Sequence, residues 1–166
     1  MKANDISPVA ELGSIPLQGP PNLRQRILVV EDDVDIRRLN AEVLIRAGYL
    51  VAAAKDGALA WDALQLVDYD LLITDNGMPE LTGIELLKKI HAARMTLPVI
   101  MATGTLPTWE FSVYPWLQPK AVLLKPYTSA ELLGTVKEIL CLTTATRLMI
   151  APPDWQSYWS DDGLRP

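Results

Sequence analysis

Five short apolar runs constrain the fold of this chain more than any other feature of its sequence. They lie at residues 27–30, 49–54, 71–73, 99–101 and 122–124, and amphipathic helical patterns separate them. Continuous apolar runs of this length are typical of strands that are buried on both faces of a parallel sheet. Because these strands alternate with helices, the sequence predicts an α/β fold with a five-stranded parallel sheet.

The same pattern predicts one domain with a segment at each end. With 166 residues, of which 49% are hydrophobic and 21% charged, the chain is long enough for a single domain with its own core. Residues 1–25 mix proline and glycine without a regular period, and we expect a flexible leader there. The domain is expected to span residues 26–142. Residues 143–166 form a C-terminal tail that is too short to fold alone.

Charge and composition exclude several classes of function. The net charge of −5 argues against a nucleic-acid-binding surface, which needs a basic face. No apolar run approaches the roughly 18 residues that span a bilayer, and the N-terminus lacks the apolar core of a signal peptide. Cys141 is the one cysteine, so an internal disulfide is excluded. These features predict a soluble cytoplasmic protein with neither a nucleic-acid nor a membrane partner.

Polar side chains follow four of the five predicted strands. Glu31 and Asp32 follow the first strand, Asp75 the third, Thr103 the fourth and Lys125 the fifth. Because all strands of a parallel sheet point the same way, these side chains meet at the carboxyl edge, where ligands bind in open α/β sheets. In the flavodoxin-like strand order 2-1-3-4-5, the first and third strands are neighbours. The three carboxylates are therefore expected to lie side by side.

Three adjacent carboxylates also predict a type of chemistry. They repel one another, and a divalent cation relieves that repulsion. Ligands that are all oxygen favour Mg²⁺, with Mn²⁺ as a second candidate. An aspartate beside such a cation can attack phosphorus and form an aspartyl phosphate, while a lysine and a hydroxyl contact the transferred group. Asp75, Lys125 and Thr103 fit these three roles.

Four sequence runs carry a resemblance to a known family. They are ILVVEDD at 27–33, LLITDNGMPELTGIELL at 71–87, PVIMATG at 98–104 and LLKPYT at 123–128. Together they closely resemble the receiver domain of two-component response regulators, over roughly residues 26–141. The resemblance implies a phosphorylation-operated switch on a doubly wound, flavodoxin-like sheet with helices on both faces.

The resemblance implies a metal-binding set around one phosphoacceptor. Glu31 and Asp32 match the acidic pair that holds Mg²⁺ in the family. Asp75 matches the phosphoacceptor, which is also a metal ligand, and the backbone carbonyl of Gly77 completes the ligands that the protein supplies.

Other residues receive roles from the resemblance or from simpler interpretations. Thr103 matches the switch hydroxyl and Lys125 the residue that binds the phosphoryl group, and the bond between Lys125 and Pro126 is expected to be cis. Asp33 lies outside the implied metal set and is interpreted as a helix cap. His91 lacks any partner motif, and we interpret it as a half-exposed helix residue rather than a phosphoryl donor.

The favoured function is a stand-alone receiver in a two-component or phosphorelay system. It would take phosphoryl groups from a histidine kinase or a phosphotransfer protein and act on an unknown downstream protein, with a homodimer as one form of output. As a switch, it would catalyse only its own phosphorylation and slow dephosphorylation. The alternatives on the same fold are a phosphorylation-independent interaction module and the receiver portion of a hybrid kinase or phosphorelay protein. An aspartate-nucleophile phosphatase is disfavoured, because Gly77 occupies the position of its second aspartate.

Two features depart from the family pattern and concern signal output. Val122 stands three residues before the lysine, where the family usually places an aromatic residue that reorients during switching. The segment 104–120 contains several prolines, among them Pro115, and these predict a short or distorted fourth helix. The same segment carries Trp109 and Trp116, and we hypothesise that it forms a partner site unless both are buried.

Overall fold

The computed structural model describes the backbone of residues 25–150 and the side chains of residues 25–144. Residues 1–24 of the predicted leader and residues 151–166 of the predicted tail lie outside the described residues, so both assignments stay predictions. Within the described part of the chain, no helix is both long and apolar enough to cross a membrane.

Five parallel strands form the central sheet, in the order β2-β1-β3-β4-β5. The strands are β1 (Arg26–Val30), β2 (Leu50–Ala54), β3 (Leu71–Thr74), β4 (Val99–Thr103) and β5 (Ala121–Leu124). Val30 and Thr74, the last residues of β1 and β3, are register partners. The chain therefore leaves both strands at the same edge, and Glu31 and Asp75 follow side by side. The predicted flavodoxin-like fold and strand order are confirmed.

Helices cover both faces of the sheet. They are α1 (Val34–Arg46), α2 (Gly57–Leu66), α3 (Gly83–Ala92), α4 (Thr108–Val113) and α5 (Ser129–Ile150). The buried side chains of α1 and α5 pack on one face of the sheet, and those of α2 and α3 pack on the other. The closing helix α5 spans Ser129–Ile150 and so continues past the boundary predicted at residue 142.

The strand β1 shows how one apolar run serves both faces. Leu28 and Val30 join the core beneath α2 and α3, whereas Ile27 and Val29 join the core beneath α1 and α5. Successive side chains of a strand point to opposite faces, so a strand between two helical layers needs an apolar residue at every position. This requirement explains the continuous apolar runs in the sequence.

The fourth helix is short, as the prolines predict. It spans Thr108–Val113, and a 3₁₀ turn at Pro115–Leu117 follows it. Proline lacks an N–H donor and its ring clashes with the preceding turn of a helix, so Pro115 ends α4 and starts the next turn. The peptide bond between Lys125 and Pro126 is cis, as predicted.

Side-chain caps fix the starts of four helices, among them α2, where Asp56 Oδ1 accepts from the Leu59 N–H at 2.8 Å. Asp33 Oδ1 accepts hydrogen bonds from the N–H groups of Asp35 at 2.9 Å and Ile36 at 3.0 Å, which confirms its interpretation as a cap. Thr128 and Glu131 form the capping box that their spacing indicates, with the Glu131 N–H 3.2 Å from Thr128 Oγ1. A second capping box begins α3.

Close backbone packing requires glycine at the first residue of α3. A Cβ atom added to Gly83 would overlap the carbonyl oxygen of Asp75 and would lie 3.0 Å from the Cα atom of Asn76. Backbone atoms cannot move aside as a flexible side chain can, so an alanine here displaces either the helix or the loop. Gly83 therefore sets the distance between α3 and the end of β3.

Replacing Gly83 with alanine should lower the free energy of unfolding by about 1–3 kcal/mol, because an added methyl group overpacks a filled space. Gly134 is the matched control, since it lies inside α5 with nothing within 4 Å of an added Cβ. Gly134→Ala should raise the free energy by about 0.5–1 kcal/mol, because alanine is the better helix former. Urea unfolding followed by circular dichroism measures both values. Equal effects of the two substitutions would contradict the close approach.

Candidate functional site

Three carboxylates cluster at the carboxyl edge of the sheet. Glu31 and Asp32 follow β1, Asp75 follows β3, and one oxygen from each lies within 4.8 Å of the others. Glu31 is 2% exposed and Asp75 is 8% exposed, whereas Asp32 is exposed. Burial takes two of the negative charges out of water, which is costly unless a cation compensates for them. The cluster therefore favours a bound cation.

Lys125 supplies one positive charge to this cluster. Its Nζ donates to Glu31 Oε2 at 2.7 Å and to Asp75 Oδ2 at 2.9 Å. Burial raises the pKa of Glu31, and the opposing effect of Lys125 does not cancel it. Burial lowers the pKa of Lys125, but hydrogen bonds and charges of Asp75 and Glu31 outweigh it, so the pKa rises. Lys125 thus stays protonated and joins β5 to β1 and β3.

Backbone and side-chain hydrogen bonds fix the loop after β3. Asp75 Oδ1 accepts from the N–H of Asn76 at 2.5 Å and from the N–H of Gly77 at 3.2 Å. Asn76 Oδ1 in turn accepts from the N–H of Ile84, in the first turn of α3, at 3.0 Å. One carboxylate oxygen of Asp75 is thereby held by the loop, while Lys125 contacts the other.

The loop after β1 depends on an arginine. Arg37 Nη1 donates to the carbonyl oxygen of Glu31 at 2.6 Å and to that of Asp32 at 3.0 Å. These bonds hold the backbone of the acidic pair against the first turn of α1. The sequence analysis missed Arg37, since an arginine in a first helical turn gives no signal that it binds backbone carbonyls.

Thr103 is buried at the end of β4. Its Oγ1 donates to the carbonyl oxygen of Thr105 at 3.1 Å. The N–H of Lys125 donates to the carbonyl oxygen of Thr103 at 3.0 Å, so the two residues leave β4 and β5 together. The hydroxyl and the ammonium therefore share one edge of the sheet, as predicted.

A second polar pair supports the loop that carries Lys125. The buried Asn40, on α1, donates through Nδ2 to the hydroxyl of Tyr127 at 2.8 Å. Burial raises the pKa of Tyr127, so its hydroxyl keeps its proton. The sequence analysis missed this pair, because the partners are 87 positions apart.

Comparison with known proteins decides the family. Residues 27–137 match the family model described as the response regulator receiver domain. The chain belongs to the response regulator receiver family. The receiver protein CpdR of Brucella abortus is 34% identical over 116 residues, which cover 70% of this chain and 97% of CpdR.

Two further receivers show the range of the likeness. The response regulator RppA of Synechocystis is 38% identical over 118 residues, which cover 69% of this chain and 50% of RppA. A structure of the response regulator TrrA of Thermotoga maritima, in complex with Mg²⁺ and BeF, has a TM-score of 0.62 and 30% identity. That match covers 69% of this chain and 98% of the TrrA chain. The resemblance in the sequence motifs is thus confirmed.

Membership defines the general activity of the chain. Receivers are phosphoacceptor switches of two-component signalling rather than conventional enzymes, and histidine kinases or phosphotransfer proteins are their partners. They bind Mg²⁺ in an acidic pocket, and this receiver has an acidic cluster at the matching strand ends.

The receiver brings together the side chains that the sequence singled out. Glu31, Asp32 and Asp75 form one carboxylate cluster, Lys125 contacts Glu31 and Asp75, and Thr103 lies at the same edge. Gly77 lies beside Asp75, to which it donates its N–H. The individual roles that the family resemblance implies for these residues stay predictions.

The segment 104–120, which we call the output side of this receiver, exposes aromatic side chains. Trp109 is 67% exposed and Trp116 is 49% exposed, so the hypothesis of a partner site in this segment remains open. Val122 is half-buried against the core beneath α2 and α3, where its branched side chain has no ring to reorient. His91 is an exposed residue of α3 that stacks on Trp116, with ring centroids 4.2 Å apart.

Replacing Lys125 with methionine should lower the free energy of unfolding in metal-free buffer by about 1–3 kcal/mol. The reason is that Glu31 and Asp75 lose the ammonium that offsets their burial. Adding Glu31→Gln should recover part of the loss, and urea unfolding in the presence of a chelator measures both. Arg38→Met is the control, since its ion pair with Glu42 is exposed and worth no more than about 0.5 kcal/mol. A Lys125→Met variant as stable as wild type would refute this account.

Proposed function

We propose that Asp75 is the phosphoacceptor of this receiver. The observation that carries the proposal is the position of its carboxylate, which lies within 4.8 Å of two other carboxylates and 2.9 Å from the Lys125 ammonium. The ammonium offsets negative charge beside the Asp75 oxygens, and the neighbouring carboxylates could hold a cation there, as phosphoryl transfer requires. Asp33 lacks this role, because its carboxylate caps α1.

The transfer proceeds by displacement at phosphorus. A carboxylate oxygen of Asp75 forms a bond to phosphorus while the bond between phosphorus and the donor's histidine nitrogen breaks, and that nitrogen keeps the electron pair. Lys125 then stays beside the new phosphoryl oxygens and offsets their charge. In the later hydrolysis, water attacks phosphorus, inorganic phosphate leaves and the Asp75 carboxylate is restored. The chain thus catalyses only its own phosphorylation and dephosphorylation.

The acidic cluster fits a hard divalent cation. Its donors are carboxylate oxygens, and three negative charges face a single ammonium, so the net charge of the cluster favours Mg²⁺ or Mn²⁺. Glu31, Asp32 and Asp75 would hold the cation, with the carbonyl of Gly77 as a further ligand. When bound, the cation would neutralise negative charge on the group being transferred.

Thr103 is proposed to be the hydroxyl that senses phosphorylation. Its Oγ1 now donates to the Thr105 carbonyl and accepts from the Thr105 N–H at 3.4 Å. A phosphoryl group on Asp75 adds strong acceptor oxygens at this edge of the sheet. These oxygens compete for the Thr103 hydroxyl and release Thr105, which shifts the loop that leads to α4.

The receiver is proposed to act as a stand-alone module. Its match to nearly the full length of CpdR supports this form, and a histidine kinase or phosphotransfer protein would be the donor. The downstream protein, the homodimer, the cytoplasmic location and the lack of nucleic-acid binding all stay predictions.

Incubation with a small phosphodonor and Mg²⁺ should add one phosphoryl group to the wild-type protein, as intact-mass measurement detects. Asp75→Asn should abolish the gain, because the amide is not a nucleophile. Asp33→Asn is the matched control, since asparagine keeps the cap, and it should be phosphorylated like wild type. Persistence of the gain in Asp75→Asn would refute the assignment. No gain in wild type would favour a phosphorylation-independent interaction module.

Mg²⁺ should stabilise the wild-type protein against heat. At a concentration about 100 times its dissociation constant, a ligand of the folded state adds about 2.7 kcal/mol. Asp32→Asn should raise the concentration of Mg²⁺ that is needed, because it removes one ligand charge, whereas Asp33→Asn should not. Thermal unfolding across a Mg²⁺ titration measures the shift. An unchanged midpoint of the titration in Asp32→Asn would remove Asp32 from the metal set.

A further inference from the structure

A groove lies at the amino edge of the sheet, opposite the carboxylate cluster. It measures about 230 Å³, and Trp116 forms one wall, stacked on His91. Its floor consists of buried side chains from α3, β4 and the 3₁₀ turn, namely Leu87, Ile90, Val99 and Leu117. The groove thus joins an exposed aromatic wall to the core of the domain.

The size of the groove indicates the kind of ligand that fits it. Sites for whole small molecules usually measure roughly 300–1,000 Å³ and enclose the ligand. A groove of about 230 Å³ with an open side is smaller than that range. It suits one large side chain of a polypeptide, and the ring of Trp116 provides a surface for aromatic stacking.

The groove carries a cationic side chain and no acidic one, although the whole chain has a net charge of −5. Lys120 is among its lining residues, and none of those residues, all within the described part of the chain, is acidic. Lys88 lies 5.2 Å from the ring centroid of Tyr114, whose ring packs edge-on against Trp116 at 5.7 Å. Charge complementarity therefore favours an acidic segment with an aromatic anchor.

The chain itself contains such a segment after α5. Residues 151–166 read APPDWQSYWSDDGLRP, in which Trp159 is followed closely by Asp161 and Asp162. An aromatic anchor beside two carboxylates matches a groove that is lined by Trp116 and Lys120. The composition of this segment thus complements the groove in both polarity and charge.

The segment also begins within reach of the groove. Thr143 and Thr144 of α5 line a small pocket with Thr96 and Pro98, and the neighbouring residues Leu97 and Val99 line the groove. From Thr144, α5 rises about 9 Å to Ile150. The nine residues from Ala151 to Trp159 could span about 30 Å if extended, which allows a return to the same edge.

We propose that the segment around Trp159 docks in this groove of its own chain, with the Trp159 ring against Trp116 and Asp161 and Asp162 beside Lys120. The contact is intramolecular and independent of the phosphorylation site. It covers an exposed tryptophan wall, so an external partner of the groove must displace the segment. The proposal adds an internal ligand to the output side of the receiver.

Disulfide trapping in the full-length chain tests the contact. The Cys141→Ser background receives Gln118→Cys at the groove and Ser160→Cys in the segment. Its matched control carries Gln65→Cys, exposed on α2, with the same Ser160→Cys. Docking should make the Gln118 bridge form at least about tenfold faster than the Gln65 bridge, because docking raises the effective concentration of one thiol. Non-reducing electrophoresis at low protein concentration separates bridges within a chain from bridges between chains.

Further substitutions test the proposed anchors. Trp159→Ala should slow the Gln118 bridge to the rate of the control. Lys120→Glu should slow it too, and Asp161→Lys with Asp162→Lys should restore the rate by reversing both charges. Equal rates for the two cysteine pairs would overturn the proposal, as would an unchanged rate in Trp159→Ala. Bridged dimers would overturn it in favour of a second copy's segment.

Discussion

The contact of the Lys125 ammonium with two buried carboxylates is the interaction on which the site depends. Glu31 and Asp75 lose most of their solvent, and Lys125 lies 2.7 Å from one and 2.9 Å from the other. A single ammonium balances only part of the charge of three clustered carboxylates, and the remainder attracts a divalent cation. Because these residues follow three different strands, the site forms only when the sheet does. Folding and function thus share one electrostatic constraint.

The backbone around this cluster is held more firmly than the side chains that report its state. Arg37 binds the carbonyls of the acidic pair, and Asn76 ties the Asp75 loop to α3. Gly83 allows that helix to approach the loop closely. Among the described residues, the Thr103 hydroxyl bonds to Thr105, a local partner that a phosphoryl group can replace. A rigid frame with one exchangeable hydrogen bond is suited to a switch.

The route from this switch to a partner differs from the usual family pattern. Val122 has no ring to reorient, the fourth helix ends before Pro115, and a groove lies beside α3. Trp116 is exposed beside this groove. Its surface needs neither an aromatic residue at position 122 nor a full-length fourth helix. Signal output in this protein is therefore expected to involve the proline-rich segment 104–120 and the polypeptide segment that docks on it.

Local patterns in the sequence determined the strands, the caps and the identity of the reactive side chains. Apolar runs mark strands buried on both faces, and Glu31, Asp75 and Lys125 stand directly after such runs, so their shared edge follows from parallel pairing alone. The contacts of Arg37 and of Asn40 with Tyr127 were not predictable, since each depends on the path of a loop in space. Only the tertiary structure decided that Lys125 bridges residues 94 and 50 positions away, and how deeply Glu31 is buried. Distances and desolvation arise from long-range packing, which residue type and periodicity do not encode.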